Sequence, residues 1–239
     1  MSVVDESSPN PATTPPKEDA GADTQRRFRH QACYTTLLSL SLLDDGGPIA
    51  ELYCEHHEDV ILKLKSARFK AIQLKTRLVG GVPFKTTDAE IVGALCKFVS
   101  LEAKFPGVFE SYLIASNVGF WHERKNGSNL EFVVSELRAS SDKSAKTLVA
   151  KILKADSDTP RSTVVAVLAK VETVVTPGLD DVELKLRDQL ARKTEFRGRR
   201  YDELETAADA LRARISEASS LAGLNFFKAN DYICEIVLP

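Results

Sequence analysis

In the window CEHHEDVILKLKSARFKAIQLKTR, three side chains have the types and spacing for phosphodiester chemistry: Asp59, Gln73 and Lys75. Side chains on a strand alternate between faces, so Phe69, Ala71, Gln73, Lys75 and Arg77 share one side of the run while Ile72 and Leu74 share the other. An amide and an ammonium then leave one face of a strand whose opposite face is apolar. If 59–64 and 69–77 pair as a hairpin through Lys65 to Arg68, Asp59 comes opposite the far end of the second strand, near Gln73 to Lys75. A carboxylate and an amide or carbonyl oxygen hold a hard cation, the cation lowers the pKa of a bound water, and a lysine orients that water or offsets charge building on phosphorus. This is the minimum equipment of a metal-dependent phosphodiesterase. The same spacing also suits a blander arrangement, with Asp59 capping a turn and Gln73 and Lys75 on the solvated face of an edge strand.

The elements that must position these groups can be read around them. Residues 1–22 are rich in Ser, Pro, Thr and Asp, lack apolar periodicity, and are expected to be a disordered tail. From Thr24, Phe28, Ala32, Leu37, Leu40 and Leu43 recur roughly at helical spacing until Gly46-Gly47. Three short runs rich in β-branched and aromatic residues follow, 48–55, 59–64 and 69–77, and fit an antiparallel meander. A helix is expected over 87–104, with Thr87 and Glu90 at capping-box spacing and Pro106-Gly107 closing it, then a strand over 108–115. The rest reads as helical: 130–137, 140–154, 160–175, 179–194 and 200–221, with Thr159-Pro160 opening the third. The expected organisation is a catalytic core over 23–135 and a helical extension over 136–239 that completes the domain. Its apolar stripes (Val164, Val167, Leu168, Val171; Leu204, Leu211, Ile215) either cap the core or form a homo-oligomer interface.

Composition limits the function. The chain of 239 residues is 43% hydrophobic, enough for a packed core, and no apolar run approaches a membrane span. The N-terminus has no basic end followed by an apolar stretch, so a cytoplasmic location is expected. The cysteines, Cys33, Cys54, Cys96 and Cys234, form no CxxC pair and read as free thiols. A net charge of −2 argues against a general nucleic-acid coat, but it hides local patches. Between Val60 and Thr87 there are seven basic residues and no acid, and Arg26, Arg27 and Arg29 lie in another acid-free stretch. Arg26, Arg29, Lys63, Lys65 and Arg77 are therefore the expected phosphate contacts, with binding that weakens steeply with salt. There is no GxxxxGK loop for an NTPase, no GxSxG, and no spaced histidine motif to make a metal site of His56-His57. Trp121 and the run Arg192, Lys193, Arg197, Arg199, Arg200 are open to either a packing or a DNA-contacting role.

Four ordered blocks, GADTQRRFRHQ, CEHHEDVIL, AIQLKTR and YLIASN, resemble the double-stranded DNA endonuclease domain of bacterial anti-phage effectors associated with cyclic-oligonucleotide synthases. That group is a QxK variant of the PD-(D/E)XK nucleases. The resemblance implies an α/β, restriction-endonuclease-like mixed sheet flanked by helices, with an α-helical C-terminal extension. It implies Asp59 as metal ligand, Gln73 in place of the usual Glu, and Lys75 as the catalytic lysine. Gln31 and the Leu74 carbonyl become further ligands, and Glu55 an additional acid; Glu58 is less certain. The cofactor implied is Mg2+, with Mn2+ able to substitute, and the substrate double-stranded DNA. By analogy with Lamassu-type defence systems, a regulatory protein from the same operon, an SMC-like ATPase, is the expected partner. A catalytically silent DNA-binding or assembly module on the same fold is the rival reading.

Overall fold

The computed structural model describes residues 20–44, 46–54, 57–77, 80–178, 180–220 and 226–228. Helix α1 (Ala20–Ser39) runs into a short 3-10 turn, Leu40–Leu43, and the meander follows as β1 (Ile49–Cys54), β2 (Val60–Leu64) and β3 (Phe69–Lys75). Helix α2 (Ala89–Lys104) leads to β4 (Phe109–Ser116), then α3 (Leu130–Arg138), α4 (Lys146–Ala155), α5 (Arg161–Ala169), β5 (Val171–Val175), α6 (Val182–Arg192), α7 (Tyr201–Ser220) and β6 (Phe226–Lys228). The strands form one mixed sheet in the order β5-β4-β3-β2-β1-β6. β1, β2 and β3 are antiparallel neighbours, β3, β4 and β5 run parallel, and β6 closes the other edge antiparallel to β1. This is the α/β mixed sheet flanked by helices that the sequence implied.

Helices cover both faces, which is why the central strands read as nearly continuous apolar runs. On one face Ala71, Tyr112 and Ile114 pack against Ile91, Leu95 and Phe98 of α2 and the apolar sides of α3, α4 and α5. On the other, Leu52, Val60, Leu62, Ile72 and Leu74 meet Cys33 and Tyr34 of α1, Leu186 and Leu190 of α6, and Leu211 and Ile215 of α7. The stripes on the C-terminal elements, Val164, Val167, Leu168 and Val171 on one face and Leu204, Leu211 and Ile215 on the other, are therefore buried within the chain. They cap the core, and a second copy cannot use them without opening it.

Three local expectations are corrected. The run read as one helix over 160–175 is a helix ending at Ala169 and a strand, VETVV, paired with β4 from Tyr112↔Val171 to Ser116↔Val175. Valine-rich segments suit a pleated surface, and β4 offers an edge for them to pair with. The capping box at Thr87 and Glu90 does not form. Asp88 is the N-cap, and its carboxylate accepts instead from the Lys85 N–H at 3.0 Å and Arg77 Nη2 at 2.8 Å. Pro160, read as the first helical residue, is the cap of α5, and the Thr159 hydroxyl donates to Asp156 at 2.7 Å. Strand β6 lies in a stretch read as neither helix nor strand. Helix α1 begins at Ala20; residues 1–19, most of the expected tail, and Cys234 lie outside the described residues. Cys33, Cys54 and Cys96 are free thiols, and among the described residues no helix is long and apolar enough to cross a membrane.

Candidate active site

The β2–β3 hairpin decides where the polar groups meet. Its register pairs Val60 with Ile72 and Lys63 with Phe69, so Asp59, one residue before β2, stands beside Gln73. Asp59 Oδ2 accepts the Leu74 N–H at 2.7 Å. A strand residue directs its N–H and C=O towards the same neighbour, so the Leu74 carbonyl faces the same gap beyond the start of β2. Just past Lys75 the chain is pinned by Asn117, whose side chain accepts from the Arg77 N–H at 2.9 Å and donates to the Arg77 carbonyl at 2.7 Å. The asparagine of the YLIASN block thus fixes the end of β3.

Gln73 is fully buried in an interior strand, so it does not lie on a solvated edge. Its Oε1 accepts from Lys75 Nζ at 2.7 Å, and its Nε2 donates to Glu58 Oε2. Glu58 is itself buried, with Lys97 Nζ 3.9 Å from Oε2 and with no hydrogen-bond partner for Oε1 among the described residues. Burial pushes Glu58 up to about 8 against the pull of the Lys97 ammonium; Asp59 adds to the rise, and Lys75 and the Gln73 amide oppose it. Burial also holds Lys75 below the usual lysine range, opposed chiefly by the Asp59 carboxylate.

Asp59, Gln73, Leu74 and Lys75 form the floor of an open cleft of about 510 Å³ between α1 and α2. Thr24, Arg27, Phe28 and Gln31, at helical spacing along one face of α1, make one wall; Glu90, Gly93 and Lys97 of α2 make the other. The structure therefore brings together Asp59, Gln73, Leu74, Lys75 and Gln31 in one cleft. Glu55 lies outside the described residues. Among the described residues no group of three His, Cys, Asp or Glu side chains is placed to hold a metal ion. Any cation here must rely on amide and carbonyl oxygens beside the carboxylates.

The expected phosphate contacts are only partly placed for that role. Arg26 is exposed on α1 but off the face that lines the cleft, and Arg29 pairs at 2.6 Å with Glu183 of α6. Lys63 pairs with Glu51 at 3.2 Å and stands about 13 Å along β2 from Asp59, with Lys65 further still, at the opposite end of the strand. Arg77 is held by Asp88 at 2.8 Å and Glu90 at 3.4 Å and lies 3.8 Å over the Phe84 ring. In the arginine-rich run, Lys193 pairs with Asp44, Arg199 with Glu203, and Arg200 with Asp202. The cations on the walls of the cleft are Arg27 and Lys97, with Lys75 on its floor. Lys97 escaped the sequence reading, although its spacing of seven from Glu90 and four from Gly93 puts all three on one helical face.

The family model for the Cap4 double-stranded DNA endonuclease domain matches residues 19–220. The chain belongs to this family. The Cap4 endonuclease match crosses the boundary drawn at residue 135 and takes in every helix through α7. Solved structures with the same fold include a Cap4 SAVED/CARF-domain containing receptor from Moraxella osloensis, 13% identical with a TM-score of 0.52, which covers 90% of this chain and 48% of its own. The Cap4 receptor from Acinetobacter baumannii, solved with the cyclic trinucleotide 2'3'3'-cAAA, is 15% identical with a TM-score of 0.55, covering 88% of this chain and 45% of its own. This chain thus spans about half the length of these solved Cap4 receptors. No curated protein matches it.

Proposed function

We propose that this Cap4-family chain cleaves double-stranded DNA as the nuclease of an anti-phage effector, with Asp59, Gln73 and Lys75 as its catalytic groups. The observation that carries the reading is the convergence of a carboxylate, a buried amide oxygen and a lysine on the floor of one cleft. The donor set fits a hard cation. Asp59, Gln73 Oε1 and the Leu74 carbonyl would hold Mg2+ or Mn2+, with Gln31 approaching from α1, and all are oxygen donors of the kind such ions prefer. The buried Glu58 Oε1 beside them is a polar atom that the described residues leave unsatisfied. Bound there, the cation supplies Lewis acidity towards the phosphate and the attacking water.

The chain's own groups do the rest. Asp59, tied through Oδ2 to the Leu74 N–H, is fixed in orientation before substrate arrives. Lys75 sits 2.7 Å from Gln73 Oε1, where its ammonium orients the attacking water and offsets charge on the phosphate oxygens. Its lowered pKa makes proton release easier than from a solvated lysine. Arg27 and Lys97 on the two walls face the duplex backbone. Cytoplasmic location and control by a regulatory partner from the same operon, in the manner of an SMC-like ATPase, belong to the same proposal. A homo-oligomer would have to form through surfaces other than the buried C-terminal stripes.

The test is cleavage of supercoiled and linear DNA with Mg2+. Asp59→Ala and Lys75→Ala should each lower the rate at least about 10²-fold, as loss of a transition-state group commonly does, with thermal unfolding of each variant still cooperative. Wild-type rates in both variants would overturn the assignment.

A further inference from the structure

A glutamine amide is ambiguous as a ligand, because its oxygen and nitrogen ends differ by one flip of the side chain and only the oxygen serves a cation. In this cleft the ambiguity is removed from both sides. Lys75 Nζ can only donate, and it lies 2.7 Å from Gln73 Oε1; Glu58 Oε2 takes the hydrogen of Nε2 on the other side. Flipping the amide would set its NH2 against the ammonium and, wherever Glu58 is ionised, its oxygen against a carboxylate oxygen. Gln73 is fully buried, so water cannot repair the mismatch.

We infer that Glu58 is a positioning residue that locks the Gln73 amide with its oxygen turned to Lys75 and the cleft. The inference rests on the reading of this cleft as a cation-assisted nuclease site. Among the described residues, the Glu58 carboxyl group hydrogen-bonds Gln73 alone, with Lys97 at 3.9 Å and Oε1 unpartnered. Burying a carboxyl group with so few partners is costly to the fold, so its place is explained by the amide that it orients. Adjacent residues on a strand would face opposite ways, but residues 57–59 form a bend ahead of β2, and Glu58 and Asp59 both reach β3.

Two measurements test it. In metal-free 15N-labelled protein, the Gln73 side-chain NH2 signals, identified by their absence in Gln73→Glu, should be protected from solvent exchange and should lose that protection in Glu58→Leu. Mn2+ affinity, read by calorimetry, should fall about 10- to 100-fold in Glu58→Leu, the range for removing a group that orients a ligand. It should return to most of the wild-type value in the exchanged pair Glu58→Gln with Gln73→Glu, where the donor now sits at 58 and an oxygen still faces Lys75. The exchanged pair keeps side-chain volume, so it remains informative if the leucine variant fails to fold. An unprotected Gln73 amide in the wild type, or an exchanged pair that binds Mn2+ as weakly as Glu58→Leu, would overturn the inference. If the wild type neither binds Mn2+ nor cleaves DNA, the nuclease reading fails, while amide protection in the metal-free protein still decides the role of Glu58.

Discussion

Lys97 and Lys63 differ in what each can offer a phosphate. Lys97 is 59% exposed on the wall of the cleft, whereas Lys63 is spent on Glu51 at the far end of β2. Lys97→Ala and Arg27→Ala should therefore weaken DNA binding and each reduce the salt dependence by about 0.9 log unit per lost phosphate contact. Lys63→Ala and Lys65→Ala should leave both nearly unchanged. Fluorescence anisotropy titrations over a series of salt concentrations measure this, and the reverse ranking would return the DNA to the hairpin end of the sheet. The difference was not legible in sequence, because a run of like charge does not say which members already face a carboxylate. Asp59, Gln73 and Lys75 were legible, because strand alternation and one hairpin register suffice to gather them. Glu58 was not, because it lies in a bend where alternation stops applying.

At the scale of elements, the hairpin turn is where that register is set, and it carries strain. Ala67 has φ +65°, in the left-handed region that a Cβ disfavours, while its N–H donates to the Leu64 carbonyl at 2.9 Å and the Leu64 N–H to the Arg68 carbonyl at 2.8 Å. Ala67→Gly relieves the clash and should stabilise the protein by about 1 kcal/mol, the lower end of the left-handed penalty, without changing the proposed DNA cleavage. Urea unfolding gives the first quantity; a destabilised variant would show that the turn is not strained. The meander, α2 and β4 could be read because each is bounded by turn residues and shows a clear period. The junction between α5 and β5 could not, since VVAVLAKVETVV is apolar at nearly every spacing and only the β4 edge decides where helix gives way to strand.

For the molecule as a whole, α1 matters because one of its faces lines the cleft while another rests on α6 and α7. His30 helps to hold it there. The ring is buried, its Nε2 donates to the Pro177 carbonyl at 3.0 Å, and its Nδ1 has no partner among the described residues. Burial lowers its pKa, opposed by the Pro177 bond, so the folded state binds a proton less readily than the unfolded chain. The stability tied to neutral His30 is therefore complete above about pH 6.5 and is lost as pH falls from there towards the lowered folded value. Melting temperatures from pH 7.5 to 5 should drop more in the wild type than in His30→Gln, which keeps the donor without the charge; parallel curves would exclude this role. The seating of α1 on α6 and α7 also bears on how the protein is made. Its residues leave the ribosome some 160 residues ahead of the last helix that supports them, about 8 to 32 seconds earlier at about 5–20 residues per second. A nascent or prematurely released chain can thus carry the hairpin with Asp59, Gln73 and Lys75 yet lack a seated cleft wall. The cleft therefore has both of its walls only after synthesis has passed α7.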